Sequence, residues 1–549
     1  MLFRWTRVAV RGISAAAVRA VSPTILTALA PLVATGVATG VATGVATGVA
    51  SGSASAAPAA RADGGKIAIK VGRIITQAGP DIVNGVILIE DGRIRSIGAD
   101  AKAPWDAEVL DHPELIAFPG FVEAHTTRGM DRPNENIDVA PFLDVRDSID
   151  PISFFFEDAL RSGVLTLNVQ QGPPAPQGGG CVIGAQGLVV KPFGLTIEQM
   201  LVKTGSGVKI SIAPKAGKSR ATQAQILRKA FTDLRLYLEK LVQDKKDGKD
   251  HARREALYQG RDLDKEENKR TRAMEGNATW KVKGLESIPR GEIDEKQEPL
   301  LRLVEGKLPA FVYCDGAAAV PIALEVAREN GFLAGTTLVL DGDAWKAADR
   351  IAEAGVPVVL GPNLMHVERD PVTGKEIETF VPGVFKKKNV RFALQSLNPQ
   401  AQSLWYQAAV CVGYGLDRKE ALDAVTRVPA EILRLGDRVG SLEAGKDGNV
   451  VLLSGDPLSV TTTVQYVVID GKLVYDRSKD VRVKHLIEGV EQENTAPNGV
   501  DAQANPHGDD HGDPEEKKEE KKDAGEKSEK NDGDKKEKDK GDKEGGDRR

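Results

Sequence analysis

Residues 118–127 read FPGFVEAHTT, and the reading of this stretch decides the fold. Pro119-Gly120 breaks the chain before it. Phe121, Val122 and Ala124 then form a short apolar run, interrupted by Glu123 and ended by His125. Alternate residues of a strand share a face, so Glu123, His125 and Thr127 are expected to point the same way. A second imidazole two residues after His125 would complete a metal-binding pair. The residue there is Thr127, whose hydroxyl is a weak neutral ligand.

Upstream, the texture is that of short strands: KIAIKVGRIITQAG, then DIVNGVILIEDGRIRSIGA. Alternating apolar residues broken by Gly and Asp are hairpin signals. Asp91-Gly92 fits a two-residue turn. The same texture returns near the C-terminus in DRVGSLEAGKDGNVVLLSGDPLS and VQYVVIDGKLVYD, with Asp470-Gly471 as a second such turn. Between these flanks, near-continuous apolar strands alternate with helices. GVLTLNVQ, PAFVYCDG, TTLVLDGD, VPVVLGPN and VRFALQSLN read as strands. AAVPIALEVARENG and AWKAADRIAEAG read as helices. That alternation predicts a parallel α/β barrel. ILRKAFTDLRLYLEKLVQDKK, within residues 222–305, interrupts the rhythm as a long helix, and His251 lies in the charged surface stretch after it. NVQQGPPAPQGGGCVIGAQG reads as one long Pro/Gly loop at the barrel mouth.

The chain has 549 residues, 41% hydrophobic, enough for two or three domains with real cores. A net charge of −5 points to no nucleic-acid partner. Cys181, Cys314 and Cys411 are too scattered for a disulfide framework. Residues 1–62 combine Arg4, Arg7, Arg11 and Arg19 with a long Ala/Val/Gly/Thr run and small-residue cleavage sites such as Ala54-Ser55-Ala56. This predicts export to a periplasmic or extracellular setting, the membrane being touched only if the segment stays uncleaved as an anchor. Residues 493–549 carry both charge signs and almost no apolar side chains, so a disordered solvating tail is expected; His507 and His511 lie in it.

Three stretches together resemble the amidohydrolase superfamily, nearest its imidazolonepropionase-like and prolidase-like members. FPGFVEAHTT is similar to the family's first barrel strand, with its His-x-His pair. GYGLDRKEALDAVTRVPAEILRLGDRVGSLEAGKDGNVVLLSGDPL is similar to its last helix and return to the β-domain. VQYVVIDGKLVYDR is similar to its closing hairpin. The resemblance spans roughly residues 66–490. It implies an α/β fold: a TIM-type (β/α)8 barrel over 118–435, plus a small β-sandwich domain built from 66–117 and 436–490. It implies a hydrolase acting on carbon–nitrogen bonds other than peptide bonds, with a small-molecule substrate and a divalent metal such as zinc. A homo-oligomer is compatible with it.

In that family the metal lowers the pKa of a bound water and polarises the substrate carbonyl. Carried over residue by residue, His125 matches the first histidine and Thr127 stands at the second. Cys314 stands at the strand 5 ligand, Asp341 at the strand 6 ligand, and Leu397, followed by Asn398, at the strand 8 aspartate. Most ligand positions are therefore substituted. One mixed set remains: His125, Cys314 and Asp341 as metal ligands, with Glu123 or Asp341 as the catalytic acid–base group. Against it, Cys314 also reads as buried apolar filler, and Asp341 and Asp343 as caps of the following helix. Lys191 stands where a carboxylated lysine is conceivable, or is a snorkelling surface residue. Arg128 and Arg132, in the polar loop after His125, and His366, after strand 7, are the substrate-binding candidates. No Gly-x-Ser-x-Gly elbow is present, and the triple Gly lacks the Gly-Lys-Ser/Thr of a phosphate loop. The other function class left open is a catalytically inactive, exported ligand-binding protein of the same fold.

Overall fold

The computed structural model describes residues 65–174, 180–258, 282–396 and 403–488. The expected export segment, the charged tail with His507 and His511, and Leu397 and Asn398 lie outside them. The chain divides into two units, residues 1–480 and 481–549. In the second, the described part is the helix Val481–Glu488.

In the first unit, four strands come before the Pro-Gly break: β1 (Lys66–Ile74), β2 (Ile82–Glu90), β3 (Arg93–Gly98) and β4 (Glu108–Phe118). After it come β5 (Phe121–Thr126), β6 (Val164–Val169), β7 (Ile183–Val190), β8 (Leu201–Ser211), β9 (Ala310–Cys314), β10 (Thr336–Leu340) and β11 (Val358–Leu360). A hairpin, β12 (Met365–Arg369) and β13 (Glu376–Phe380), precedes β14 (Phe392–Leu394). The chain closes with β15 (Val450–Leu453), β16 (Val464–Ile469) and β17 (Lys472–Asp476).

The two flanks join in one sheet, ordered β17-β16-β15-β4-β1-β2-β3. The junction is antiparallel, with Phe118 opposite Val451 and Ile116 opposite Leu453. Hydrogen bonding makes this a single seven-stranded sheet, where a two-layer sandwich was expected. One face carries its own apolar cluster, including Ile67, Ile69, Ile87, Ile89, Val450 and Val468. Phe118, Val451, Leu453 and Val467 belong instead to the large cluster that also contains barrel strand residues. Both Asp-Gly pairs form the expected turns, with φ of 50° and 74° at Asp91-Gly92 and 50° and 72° at Asp470-Gly471. At Pro119-Gly120, Gly120 has φ 77°, and a Cβ there would lie 2.6 Å from Leu165 Cγ. A side chain at that turn would strain the backbone and collide with β6.

The second sheet has eight strands, ordered β14-β11-β10-β9-β8-β7-β6-β5, and is nearly barrel-shaped. Most neighbours are parallel, as expected. β7 is the exception, antiparallel to both β6 and β8. The sequence between β6 and β7 is rich in Pro and Gly and lacks the helix formers that a parallel crossover needs, which accords with an antiparallel pair. The seam between β14 and β5 is bridged by a turn rather than a strand pair. Val122 N–H donates to Val425 O (2.9 Å) and Leu394 N–H to Ala424 O (3.0 Å). The interior holds Val122, Ala124, Val189, Phe311, Val339, Val359 and Ala393. The long helix is present as Arg220–Tyr258.

Candidate active site

His125 stands at the end of β5, 8% exposed, with its ring 6.4 Å from that of Phe311 in the barrel interior. Its Nδ1 lies 2.8 Å from Gln395 Oε1, just past the end of β14. The amide oxygen can only accept, so the bond places the ring proton on Nδ1 and leaves Nε2 its lone pair. Burial, with a smaller contribution from the nearby Lys209 charge, pushes the imidazole down to about 4 even though Gln395 opposes this. The ring is therefore neutral at pH 7.

Glu123 does not share the His125 face as expected: it pairs with Leu167 of the outer cluster, and the register slips before Thr126. Glu123 ties the same two strands together through Ser396. Its carboxyl accepts from Ser396 N–H (3.1 and 3.0 Å) and Ser396 O–H (2.5 Å). Burial pushes this acid up to about 8, against those hydrogen bonds. Glu123 thus positions the end of β14, and with it Gln395. The folded pKa lies above the unfolded value of 4.5, so the folded chain keeps a proton that the unfolded chain has released. The stability this contributes is complete below pH 4.5 and is lost as pH rises through 8. Glu123→Gln should therefore gain on the wild type by about 1.4 kcal/mol per pH unit across that window. Denaturant unfolding of both chains at the two ends of the window measures it, and parallel pH curves would refute it.

Lys209, on β8, was not singled out from the sequence. It pairs in register with Phe311 and so shares the interior face, 2% exposed. Its Nζ donates to the Cys181 backbone oxygen (2.5 Å). Burial lowers the ammonium to about 7. The only signal in the sequence was its place between Val208 and Ile210, both of which face the outer cluster.

Cys314 and Asp341 do not join His125 as expected. Phe311 and Tyr313 are the interior residues of β9, while Cys314 packs with Ala310 and Val312 in the outer cluster beside Ala319 and Ala323. Its thiol contacts Val312 O at 3.9 Å and is pushed well up by burial. The strand 5 position on the interior face is Tyr313, not Cys314. Tyr313 O–H donates to Asp341 Oδ2 (2.9 Å), and Gly342 N–H donates to Oδ1 (2.8 Å). Asp341 is exposed at the rim. Asp343 caps a turn other than its own helix, accepting from Ala317 N–H (2.9 Å).

Lys191 is neither a mouth residue nor a surface one. It is 2% exposed and ion-paired to Asp447 (3.0 Å) and Asp470. Arg128 and Arg132 are exposed on the loop after β5. That loop is clamped to the β6 loop by Asn134, whose Nδ2 donates to Gly172 O (2.8 Å) and Pro173 O (2.7 Å). Thr127 is half-buried against the same loop, so close that a Cβ at Gly172 would lie 2.9 Å from its methyl. His366 sits on β12, its Nε2 3.3 Å from Glu368 Oε1.

A catalytic zinc needs several converging N, O or S donors and an open position. Among the described residues, no three His, Cys, Asp or Glu side chains are grouped so as to hold one. The donor set here does not fit the metal that the fold implies.

Eight largely parallel strands form a nearly barrel-shaped sheet, joined to a sheet drawn from both flanks, with a buried histidine at the first strand end. A family model for the amidohydrolase family matches residues 412–475. An amidohydrolase from Thermotoga maritima of known structure is 26% identical, with a TM-score of 0.59 over 75% of this chain and 100% of that one. Amidohydrolase tasK of Hapsidospora irregularis is 40% identical over 76 residues, 14% of this chain and 8% of its own length. A 5-methylthioadenosine/S-adenosylhomocysteine deaminase of Moorella thermoacetica is 42% identical over 69 residues, 12% of this chain and 16% of its own. The chain thus matches only a small part of the length of these two curated relatives. Residues 412–475 thus carry the sequence pattern of the amidohydrolase family, and three quarters of the chain shares the fold of a solved amidohydrolase.

Proposed function

We propose that the chain is an exported hydrolase of small substrates containing a carbon–nitrogen bond other than a peptide bond, acting from a barrel mouth with a degenerate metal-ligand set. The observation that carries this is His125, buried at the first strand end, its Nδ1 proton held by Gln395 and its Nε2 without a partner among the described residues. A neutral imidazole held this way can accept a proton from a nucleophile and return it to a leaving amine. Gln395 fixes the ring, and Glu123 with Ser396 fixes Gln395. The basic, apolar, small-residue pattern of residues 1–62 supports export.

A second reading, ligand binding without hydrolysis, is favoured by one observation. Asp341, the carboxylate nearest in role to a proton shuttle, is engaged by Tyr313 and Gly342. One experiment separates the two. The full chain is purified from zinc-supplemented culture, its metal content is measured, and turnover of a panel of small N-acyl amino acids and cyclic amides is assayed. We expect well under one zinc per chain, and turnover that His125→Ala abolishes. Cys314→Ala should change neither turnover nor metal content, because its thiol faces the outer cluster. No turnover across the panel, with ligand binding retained, would decide for the second reading. Stoichiometric zinc lost in Cys314→Ala would overturn the degenerate-site reading.

A further inference from the structure

Beyond Asp341 the mouth opens into a cleft of about 190 Å³. Leu340 and Leu360, the last residues of β10 and β11, line it together with Leu364 and Val381. Trp345 and His366 also line it, their rings edge to face at 5.6 Å. The β12–β13 hairpin brings His366 there, held by Glu368. The cleft is therefore built by two strand ends and a hairpin, and Gln395, whose N–H donates to Leu360 O (3.1 Å), adjoins it.

Its chemistry is uneven. The leucines and Val381 offer only apolar surface. Asp341 lines the cleft with an exposed carboxylate. Asp343 and Glu368 stand close by, and Lys346 pairs with both, 3.7 Å from Asp343. Three carboxylates against one ammonium leave the rim rich in negative charge. The Trp345 indole N–H is buried and has no acceptor among the described residues. An ammonium offers that donor no acceptor, so the indole serves the cleft by its ring and not by its N–H. The volume suits a fragment-sized molecule rather than a drug-sized one.

We propose that this cleft binds a small primary amine with an aromatic or branched aliphatic arm. Its ammonium pairs with Asp341, and its arm lies on Leu340, Leu360, Leu364 and Val381. The site goes beyond the hydrolysis proposed above, because occupancy requires no bond to be broken. An amine is nonetheless what cleavage of a carbon–nitrogen bond releases, so the cleft is placed to receive that half of a substrate.

The probe is 2-phenylethylamine, titrated calorimetrically into the full chain at neutral pH while tryptophan emission is recorded. 2-Phenylethanol and phenylacetate serve as neutral and anionic counterparts of the same shape. The amine should bind at least about tenfold more tightly than the alcohol, and phenylacetate should not bind. Asp341→Asn should bring the amine down to the alcohol's affinity and leave the alcohol's affinity unchanged, which shows that the cleft still forms. Trp345→Phe should remove the emission change. Equal affinity for amine and alcohol, amine binding unaffected by Asp341→Asn, an emission change that survives Trp345→Phe, or no amine binding up to about 10 mM each overturns the proposal. Because these readouts are binding and emission, they hold whether or not the chain proves to be a hydrolase.

Discussion

Replacing Lys209 by Met raises the stability of the folded chain at pH 7 by about 3 kcal/mol. The expectation follows from partners, not from packing. Lys209 is 2% exposed, and its ammonium donates to one neutral backbone oxygen, that of Cys181. Among the described residues no carboxylate pairs with it. Burial lowers its pKa from 10.5 to about 7. The folded pKa thus lies below the unfolded one, and the stability linked to this group is present above pH 10.5 and lost as pH falls through 7. At pH 7 the unfolded chain holds a proton that the folded chain has half released. Each unit of that shift corresponds to about 1.4 kcal/mol, less about 1 kcal/mol for the donor lost to Cys181. Methionine keeps most of the stem and removes the charge. Denaturant unfolding at pH 7 should show the gain, and at pH 10.5 the gain should be gone. A destabilised variant at pH 7 would mean that the ammonium has a counter-charge this geometry lacks. The same charge also reaches His125, whose imidazole it helps to lower.

How much of this was legible beforehand depended on parity and on punctuation. The flanking sheet announced itself, because Asp91-Gly92 and Asp470-Gly471 are turn signals with a mechanism and the strands around them alternate. β6, β9, β10, β11 and β14 were legible as short Val/Leu-rich runs. β7 was not, because Pro173, Pro174 and the glycines that follow extend a loop reading to Gly187, over the first five residues of β7. With β7 lost, β8 lost its place in the count, and Lys209 went unnoticed. Cys314 was misplaced by a single residue. A one-residue offset on a strand exchanges its faces, so the chemistry-bearing interior position fell on Tyr313 while the thiol turned outward. Gln395 carries no ligand signal of its own, and the family's strand 8 position falls on Leu397, two residues on. Yet Gln395 follows Ala393 on the interior side and is the residue that holds His125. Long-range partners such as Glu123–Ser396, 273 residues apart in sequence, leave no local trace.

The same substitution at the other fully buried lysine should have the opposite sign. Lys191→Met should destabilise the fold by about 3 kcal/mol. Lys191 is also 2% exposed, but it bridges Asp447 and Asp470. Asp447 is itself gripped by Arg438 (2.8 Å). Burial pushes the Asp447 carboxyl up, but the Lys191 charge and Arg438 together outweigh it and hold the acid below its ordinary range. Removing the ammonium leaves one carboxylate fully buried with a single partner and a second, at the β16–β17 turn, stripped of a charge partner. Since Lys191 directly follows β7 while both acids belong to the C-terminal flank, the lost pairs are those that fasten the barrel sheet to the seven-stranded one. A double variant tests the origin of the effect: Asp470→Asn removes one of the two exposed costs, and asparagine tolerates the positive φ at that turn. The double variant should therefore recover about 1 kcal/mol relative to Lys191→Met alone, read from denaturant unfolding at pH 7. If the double variant is less stable than the sum of the two single changes, Lys191 acts by packing and not by charge. Two lysines with equal burial would then differ for a reason other than their counter-ions, and the sign predicted for Lys209 would lose its basis as well.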